Sequence, residues 1–484
     1  MNAYEPKAVA FNARALAPDQ WVAVAATGDH AIVSDHELVC LRGKPQRLPW
    51  AAQARFKARF LLEGNASTPG SQRLRISRQA ARAETLSLGP ALHIIVPTLQ
   101  CAHSCRYCQV SRAPAGGDTH SMSTSDLDAA CDTIFESASP TLTVEFQGGD
   151  PLLRFDLVER AIQRIRRRNG HEGRRLRFVI ASTLHQLDHS ICRVLKEHEV
   201  LLSTSLDGPA WLHNKNRPLP TRDAYERTTG GIELARAELG FDAVSALLTA
   251  TRESLRAPEE IVDEYVRFGF RDIFLRPLSS YGFAKRNQAH LGYTVEEFNS
   301  FYARAFERIV HWNRRGVALR EVYASILLNK MLCPFDAGYV DLQSPSGAGL
   351  GAVAYNYDGY VYPGDEARML AQSGNVSLRL GRIGAPLGQL LNSPAQRALV
   401  RNSLVDYMPG CRRCAYKPFC GPDPVDAIAE FGTPDAPVLL TEHCRRHLGM
   451  FDELFRRLYA ADDWTKDLFY RWAQPAGVRE SLDA

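Results

Sequence analysis

At 484 residues, 45% hydrophobic and 23% charged, the chain is long enough for two or three domains with ordinary globular cores. Lysine and arginine exceed aspartate and glutamate by 58 to 54, too narrow a margin for an electrostatic footprint on nucleic acid or an anionic bilayer, so neither is expected as a partner. The opening MNAYEPKAVAFNARALAPDQ lacks an apolar signal core, and no apolar run reaches about 18 residues, so the chain reads as soluble and cytoplasmic.

Residues 1–90 read as a small separate α+β module, in which QWVAVAATGDHAIVSDHELVCLRG patterns as a hairpin turning at Gly28-Asp29 and then as helix. Residues 91–325 alternate strand-like and helix-like segments, the pattern of successive βα units on a parallel sheet. Six strands are expected, at 92–99, 141–147, 176–183, 200–206, 243–249 and 272–278. A helix is expected over 124–138, with Thr124 as its cap and Leu127, Cys131 and Ile134 on its apolar face. Residues 326–450 hold a Gly- and Tyr-rich stretch and a group of cysteines, and 451–484 pattern as an amphipathic helical tail. The expected fold class is α/β: a partial (β/α)6 TIM-like barrel between an N-terminal α+β module and a Cys-rich C-terminal domain.

In barrels of this kind the chemistry sits on the loops that follow the strands. Here those loops carry Cys101-Ala-His-Ser-Cys105-Arg-Tyr-Cys108 after strand one, Gly148-Gly149-Asp150-Pro151 after strand two, Ser182 at strand three, and Asp207-Gly208 after strand four. A [4Fe-4S] cluster normally takes four cysteines, so three on one tight loop leave one iron open. Structural zinc prefers four ligands in paired spacing, and His103 is awkwardly placed to be the fourth. A second group, Cys411-x2-Cys414-x5-Cys420 with Cys444 downstream, supplies four thiolates and suits either a closed zinc or a fully ligated cluster. Cys40, Cys131 and Cys192 read as core residues, and Cys333 as a buried or reactive single thiol.

The C-x3-C-x2-C loop, with an aromatic before its last cysteine, resembles the signature of the radical S-adenosylmethionine (SAM) superfamily. Gly148-Gly149-Asp150-Pro151 is similar to that family's Gly-Gly-Glu-Pro motif, with Asp in place of Glu. The resemblance implies a [4Fe-4S] cluster on Cys101, Cys105 and Cys108 whose open iron chelates SAM. It also implies SAM contacts from Gly148, Gly149, Asp150, Ser182, Ser205, Asp207 and Arg217, with Tyr107 beside the adenine. The second cysteine group is similar to half of the SPASM extension of peptide- and protein-modifying members. Ser346 or Gly347, Gly364 and Pro424 stand where a second set of ligands falls in full SPASM domains, which implies one auxiliary [4Fe-4S] cluster on Cys411, Cys414, Cys420 and Cys444.

Stretches such as LHIIVPTLQCAHSCRYCQVSR, FQGGDPLL, YNYDGYVYPGDEARML and CGPDPV resemble B-type maturases of the His-Xaa-Ser system, and the first module is similar in outline to winged-helix peptide-recognition domains. That implies a maturase acting on a ribosomally made precursor peptide or protein, fed by an electron donor such as flavodoxin or ferredoxin. Asp365 and Glu366 are the candidate proton acceptors. Sulfatase-maturase-like oxidation of a protein side chain and radical chemistry on a small molecule stay open as alternatives. A non-catalytic cluster- or zinc-binding scaffold is the reading from another class.

Overall fold

The computed structural model describes residues 6–63, 72–73, 76–77, 80–81, 84, 86–117, 119–334, 336 and 338–474. The expected N-terminal module therefore lies partly, and the expected tail in its last ten residues, 475–484, wholly outside the described residues.

The N-terminal module is a three-stranded antiparallel sheet, β1 (Phe11–Ala17), β2 (Gln20–Ala25) and β3 (His30–Val33), followed by α1 (Asp35–Gly43) and α2 (Trp50–Ala58). Ser34 starts α1 with a capping box, its side chain accepting from the Glu37 amide while the Glu37 carboxylate accepts from the Ser34 amide. Strand alternation divides the hydrophobic residues between two cores. Ala23, Ala25 and Val33 face Leu38, Leu41 and Phe56 of the module's own helices. Leu16, Val22 and Val24 point the other way, into the main core beside Phe451 and Phe455. The module is thus not the separate body that its sequence suggests: one face of its sheet is roofed by a helix 400 residues further along the chain, and each fully buried valine there contributes about 2 kcal/mol of transfer free energy.

The barrel strands are β4 (Leu92–Thr98), β5 (Thr141–Gly148), β6 (Arg175–Ala181), β7 (Leu201–Ser205), β8 (Val244–Thr249) and β9 (Leu275–Arg276). Helices α3 (Thr124–Ile134), α4 (Phe155–Glu172), α5 (His189–Glu197), α6 (Ala210–Asn216), α7 (Ala224–Leu239) and α8 (Pro258–Arg267) lie among them. The cap of α3 is Ser123, one residue before the expected Thr124, and the helix ends at Ile134 rather than 138. On β5 the period-2 pattern buries Leu142, Val144 and Phe146 against the helices and turns Thr143, Glu145 and Gln147 into the barrel.

The expected sixth strand breaks in two. Asp272–Ile273 pairs with Arg320–Glu321 in a separate sheet, and only β9 joins the barrel, pairing with β8. Beside the break, on the edge away from β8, the buried Glu321 carboxylate accepts the Leu275 amide at 3.2 Å. After α9 (Val295–Arg314) and α10 (Val322–Leu332) the chain returns to the sheet. Strand β10 (Ala352–Tyr355) runs parallel to β4 on its open side, followed by antiparallel β11 (Tyr360–Tyr362) and β12 (Gly381–Arg382). Among the described residues the sheet is nine strands, in the order β9-β8-β7-β6-β5-β4-β10-β11-β12. The C-terminal extension therefore continues the barrel's own sheet. It goes on through α11 (Asp365–Gln372), α12 (Glu442–Ala460) and α13 (Asp463–Ala473), and the boundaries expected at 325 and 450 both fall inside helices, α10 and α12.

Candidate active site

The loop ends of the barrel strands enclose a cavity of about 630 Å³. Cys101, Cys105 and Cys108 line one end of it, with Gly148, Gly149, Ser182, Ser205 and Arg217. The cysteine loop is fastened from below, since the Ser104 and Arg106 amides donate to the Pro218 and Asn216 carbonyls at 3.2 and 3.0 Å. Gly148 and Gly149 are required by close approach to strand one. A Cβ on Gly148, whose φ is +130°, would lie 2.2 Å from the Thr98 carbonyl oxygen, and one on Gly149 would lie 2.2 Å from that of Gln100.

The structure brings most of the expected residues together on the cavity, while two of them, Asp150 and Asp207, are fully buried and engaged by protein groups. Asp150 is fully buried behind the cavity wall, accepting from the Leu152 and Thr183 amides and from the hydroxyls of Ser182 (2.7 Å) and Thr183 (2.5 Å). It ties the loop after strand two to the end of strand three instead of facing a ligand. Asp207 is likewise fully buried; Tyr107 donates its hydroxyl to both carboxylate oxygens at 2.8 and 2.7 Å, and Arg217 donates Nε at 3.3 Å. Burial pushes the Asp207 carboxyl up, and the Arg217 guanidinium pulls it back. Tyr107 is accordingly held by Asp207, with the Arg217 guanidinium 5.3 Å over its ring.

Burial raises all three thiols, Cys105 to about 11, so an incoming metal must displace their protons. Two further observations test whether the pocket fits a cluster and a polar ligand. His103 is fully buried on the cavity with both ring nitrogens unpartnered among the described residues, and the Thr204 hydroxyl is orphaned there too. Among the described residues no three cysteine thiols gather within 4.8 Å of one another, whereas a single tetrahedral zinc draws sulfurs to about 3.8 Å. The donor set and the space fit a cluster better than one zinc.

The cavity also has an acidic side, of which the sequence singled out only Asp365 and Glu366. Glu145, Asp341, Asp365, Glu366 and Asp423 line it, with Arg276 among them. Asp365 is ion-paired to the fully buried Arg368, its Oδ1 accepting from Nε at 2.5 Å, while Glu366 makes no ion pair among the described residues. Burial, followed by Asp341, Asp365 and Asp423, holds the Glu366 carboxyl well above the usual range. Asp423, Asp426 and His443 gather within 4.8 Å just beyond.

In the extension, Cys411 lies in the short helix Pro409–Arg412, Cys414 and Cys420 on the loop that follows it, and Cys444 in the first turn of α12; all four are half-buried, and each thiol is pushed up by burial, Cys444 to about 11. Cys333 donates its thiol to the Ala473 carbonyl at 3.4 Å, which accounts for it as a core residue.

Residues 95–274 match the family model of the Radical SAM superfamily, a span that runs from within β4 to just before β9 and includes the cysteine loop. Fold, loop and match together mark that span as a radical SAM domain. The chain carries one such domain, between the N-terminal module and the four-cysteine extension. An uncharacterized protein of Synechocystis sp. is 26% identical over 244 residues, 48% of this chain and 59% of that protein. An uncharacterized protein of Methanothermobacter thermautotrophicus is 28% identical over 183 residues, 37% of this chain and 65% of that protein, so the chain spans less than two thirds of either relative. Among solved structures, anSMEcpe with bound AdoMet has a TM-score of 0.64 at 17% identity, covering 76% of this chain and 98% of its own. Streptococcus suis SuiB bound to precursor peptide SuiA has a TM-score of 0.54 at 12% identity, covering 90% and 100%. These likenesses establish a shared fold. No helix among the described residues is long and apolar enough to cross a membrane.

Proposed function

We propose that this protein is a radical SAM maturase that modifies a ribosomally made peptide or protein. The observation that carries the reading is one continuous cavity lined both by the open cysteine trio and by a set of carboxylates. Cys101, Cys105 and Cys108 would hold a [4Fe-4S] cluster, and the unpartnered His103 and Thr204 offer hydrogen bonds to what binds beside it. When bound, the cluster and AdoMet supply reductive cleavage and hydrogen-atom abstraction.

The chain's own residues orient and enclose. Gly148 and Gly149 let the loop after β5 lie flat on strand one, Asp150 locks that loop to Ser182 and Thr183, and the Tyr107–Asp207–Arg217 set fixes the cysteine loop's inner side. Glu366, with no ion pair among the described residues and held above the usual carboxylate range, keeps its proton near neutral pH and can donate it, while Asp365, ion-paired to Arg368, is the carboxylate able to accept a proton from substrate once hydrogen abstraction has made it acidic. Cys411, Cys414, Cys420 and Cys444 would hold a closed auxiliary cluster, which would offer a path for an electron leaving the substrate radical, while a donor such as a flavodoxin or ferredoxin would supply the electron needed at Cys101, Cys105 and Cys108.

The likeness to SuiB, solved with its precursor peptide, supports a peptide as substrate. In the N-terminal sheet β3 is an edge strand, to which an extended peptide can add through backbone hydrogen bonds. The test is mass spectrometry of short peptides encoded beside the gene, after anaerobic incubation with protein, AdoMet and reductant. A mass change that requires AdoMet and Cys101, Cys105 and Cys108 is expected. Turnover of a free small molecule, with every such peptide unchanged, would overturn the reading.

A further inference from the structure

The N-terminal module and the second cysteine group are far apart in sequence, yet they are stitched together by polar contacts that packing alone does not need. On β1 the alternation that turns Phe11 and Ala13 toward the module's own core turns Asn12 and Arg14 outward, beside their cross-strand partners Val24 and Val22. The Asn12 side-chain amide donates to the Cys414 carbonyl at 3.1 Å and to the Arg412 carbonyl at 3.3 Å, both inside the C-x2-C turn. Arg14 grips Asp452 through a two-pronged pair, Nε to Oδ1 at 2.6 Å and Nη2 to Oδ2 at 2.7 Å. The same Asp452 accepts the Tyr416 hydroxyl at 2.5 Å.

Tyr416 lies between Cys414 and Cys420, and Asp452 lies on α12 eight residues after Cys444. The contacts therefore join the two chain segments that supply the four thiols, one a short helix and the loop after it with three cysteines, the other a long helix. A cluster needs all four at fixed separation, and loops hold ligands less firmly than regular elements.

We infer that the N-terminal module, through Asn12 and Arg14, is a positioning element for the auxiliary cluster, clamping the Cys411–Cys420 loop to the helix that carries Cys444. This rests on the reading that the second cysteine group holds a cluster. A module that reads a peptide at β3 is then only two strands from the cluster's ligand loop, so recognition and the auxiliary centre share one rigid support.

The test uses the full chain with Cys101, Cys105 and Cys108 replaced by Ala, so that all bound iron is auxiliary. Iron release to a chelator is followed by visible absorbance, and the reduced cluster by electron paramagnetic resonance. Adding Asn12→Ala with Arg14→Met is expected to speed release about tenfold and to alter the resonance. Leu16→Ala, which removes packing from the same sheet face but no hydrogen bond to the loop, is expected to leave both within twofold. An unchanged release rate in the double variant, or an equal acceleration by Leu16→Ala, overturns the inference. If the double variant does not fold, Asn12→Ala alone is judged by the same two results. Absence of iron from the parent with Asn12 and Arg14 intact would count against the auxiliary cluster itself, a distinct outcome.

Discussion

Gly149→Ala probes the positioning of the core loop with little change of chemistry. The new Cβ would stand 2.2 Å from the Gln100 carbonyl oxygen and 2.3 Å from that of Leu99, and both obstacles are backbone. Carbon–oxygen contact is comfortable near 3.3 Å, so the two loops must part by about 1 Å. The strand that moves is Gln100–Cys101, which carries the first thiol. A displacement of about 1 Å at a reacting centre costs on the order of 100-fold in rate. The assay is formation of 5′-deoxyadenosine from AdoMet under reductant, with AdoMet affinity measured in parallel. Gly170→Ala is the control: it lies inside α4 with nothing within 4 Å of the new Cβ, and is expected to keep activity and to gain about 0.5–1 kcal/mol of stability. Gly149→Ala within twofold of the parent in both rate and affinity would refute the reasoning.

Burial raises the Glu321 carboxyl to about 7, against about 4.3 in an unfolded chain, so the folded state binds its proton more tightly. Its stabilising contribution is therefore complete below pH 4.3 and lost as pH rises through 7. The stability difference between Glu321→Gln and the parent, from denaturant unfolding, is expected to move by about 3 kcal/mol in the variant's favour between those limits. Asp150→Ala orphans two hydroxyls and two amides in a buried site and is expected to cost about 3 kcal/mol, read in the same titration. Cys333→Ser is expected to leave reconstituted iron unchanged, because its thiol is engaged with Ala473; a loss of about four irons per chain would make it a ligand.

The barrel strands were legible because Leu142, Val144 and Phe146 alternate with polar residues, a local pattern that the fold keeps. The break in the sixth strand was not, since its first half pairs with Arg320–Glu321, and Glu321 arrives 46 residues after Leu275. The cysteine and glycine loops could be read from spacing, but the work of Asp150 and Asp207 could not. Both residues stand on the cavity's rim in sequence, and only three-dimensional neighbours show that they brace it from behind. The acidic lining draws Glu145, Asp341, Glu366 and Asp423 from four separate segments; Asp365 and Glu366 stood out in the sequence, but nothing local ties them to the other three. Asn12 and Arg14 alternate with small or apolar residues as a solvent-facing edge would, so nothing local foretold that they face the second cysteine group.

The central claim is that Cys101, Cys105 and Cys108 hold the centre at which AdoMet is cleaved. The most direct measurement is 5′-deoxyadenosine formed by the anaerobically reconstituted chain with AdoMet and reductant, beside the triple Cys→Ala variant. The parent is expected to bind about eight irons and to make 5′-deoxyadenosine, and the variant to keep about four irons and make none. Product from the triple variant at the parent's rate, or no product from a parent holding its full iron, would contradict the claim.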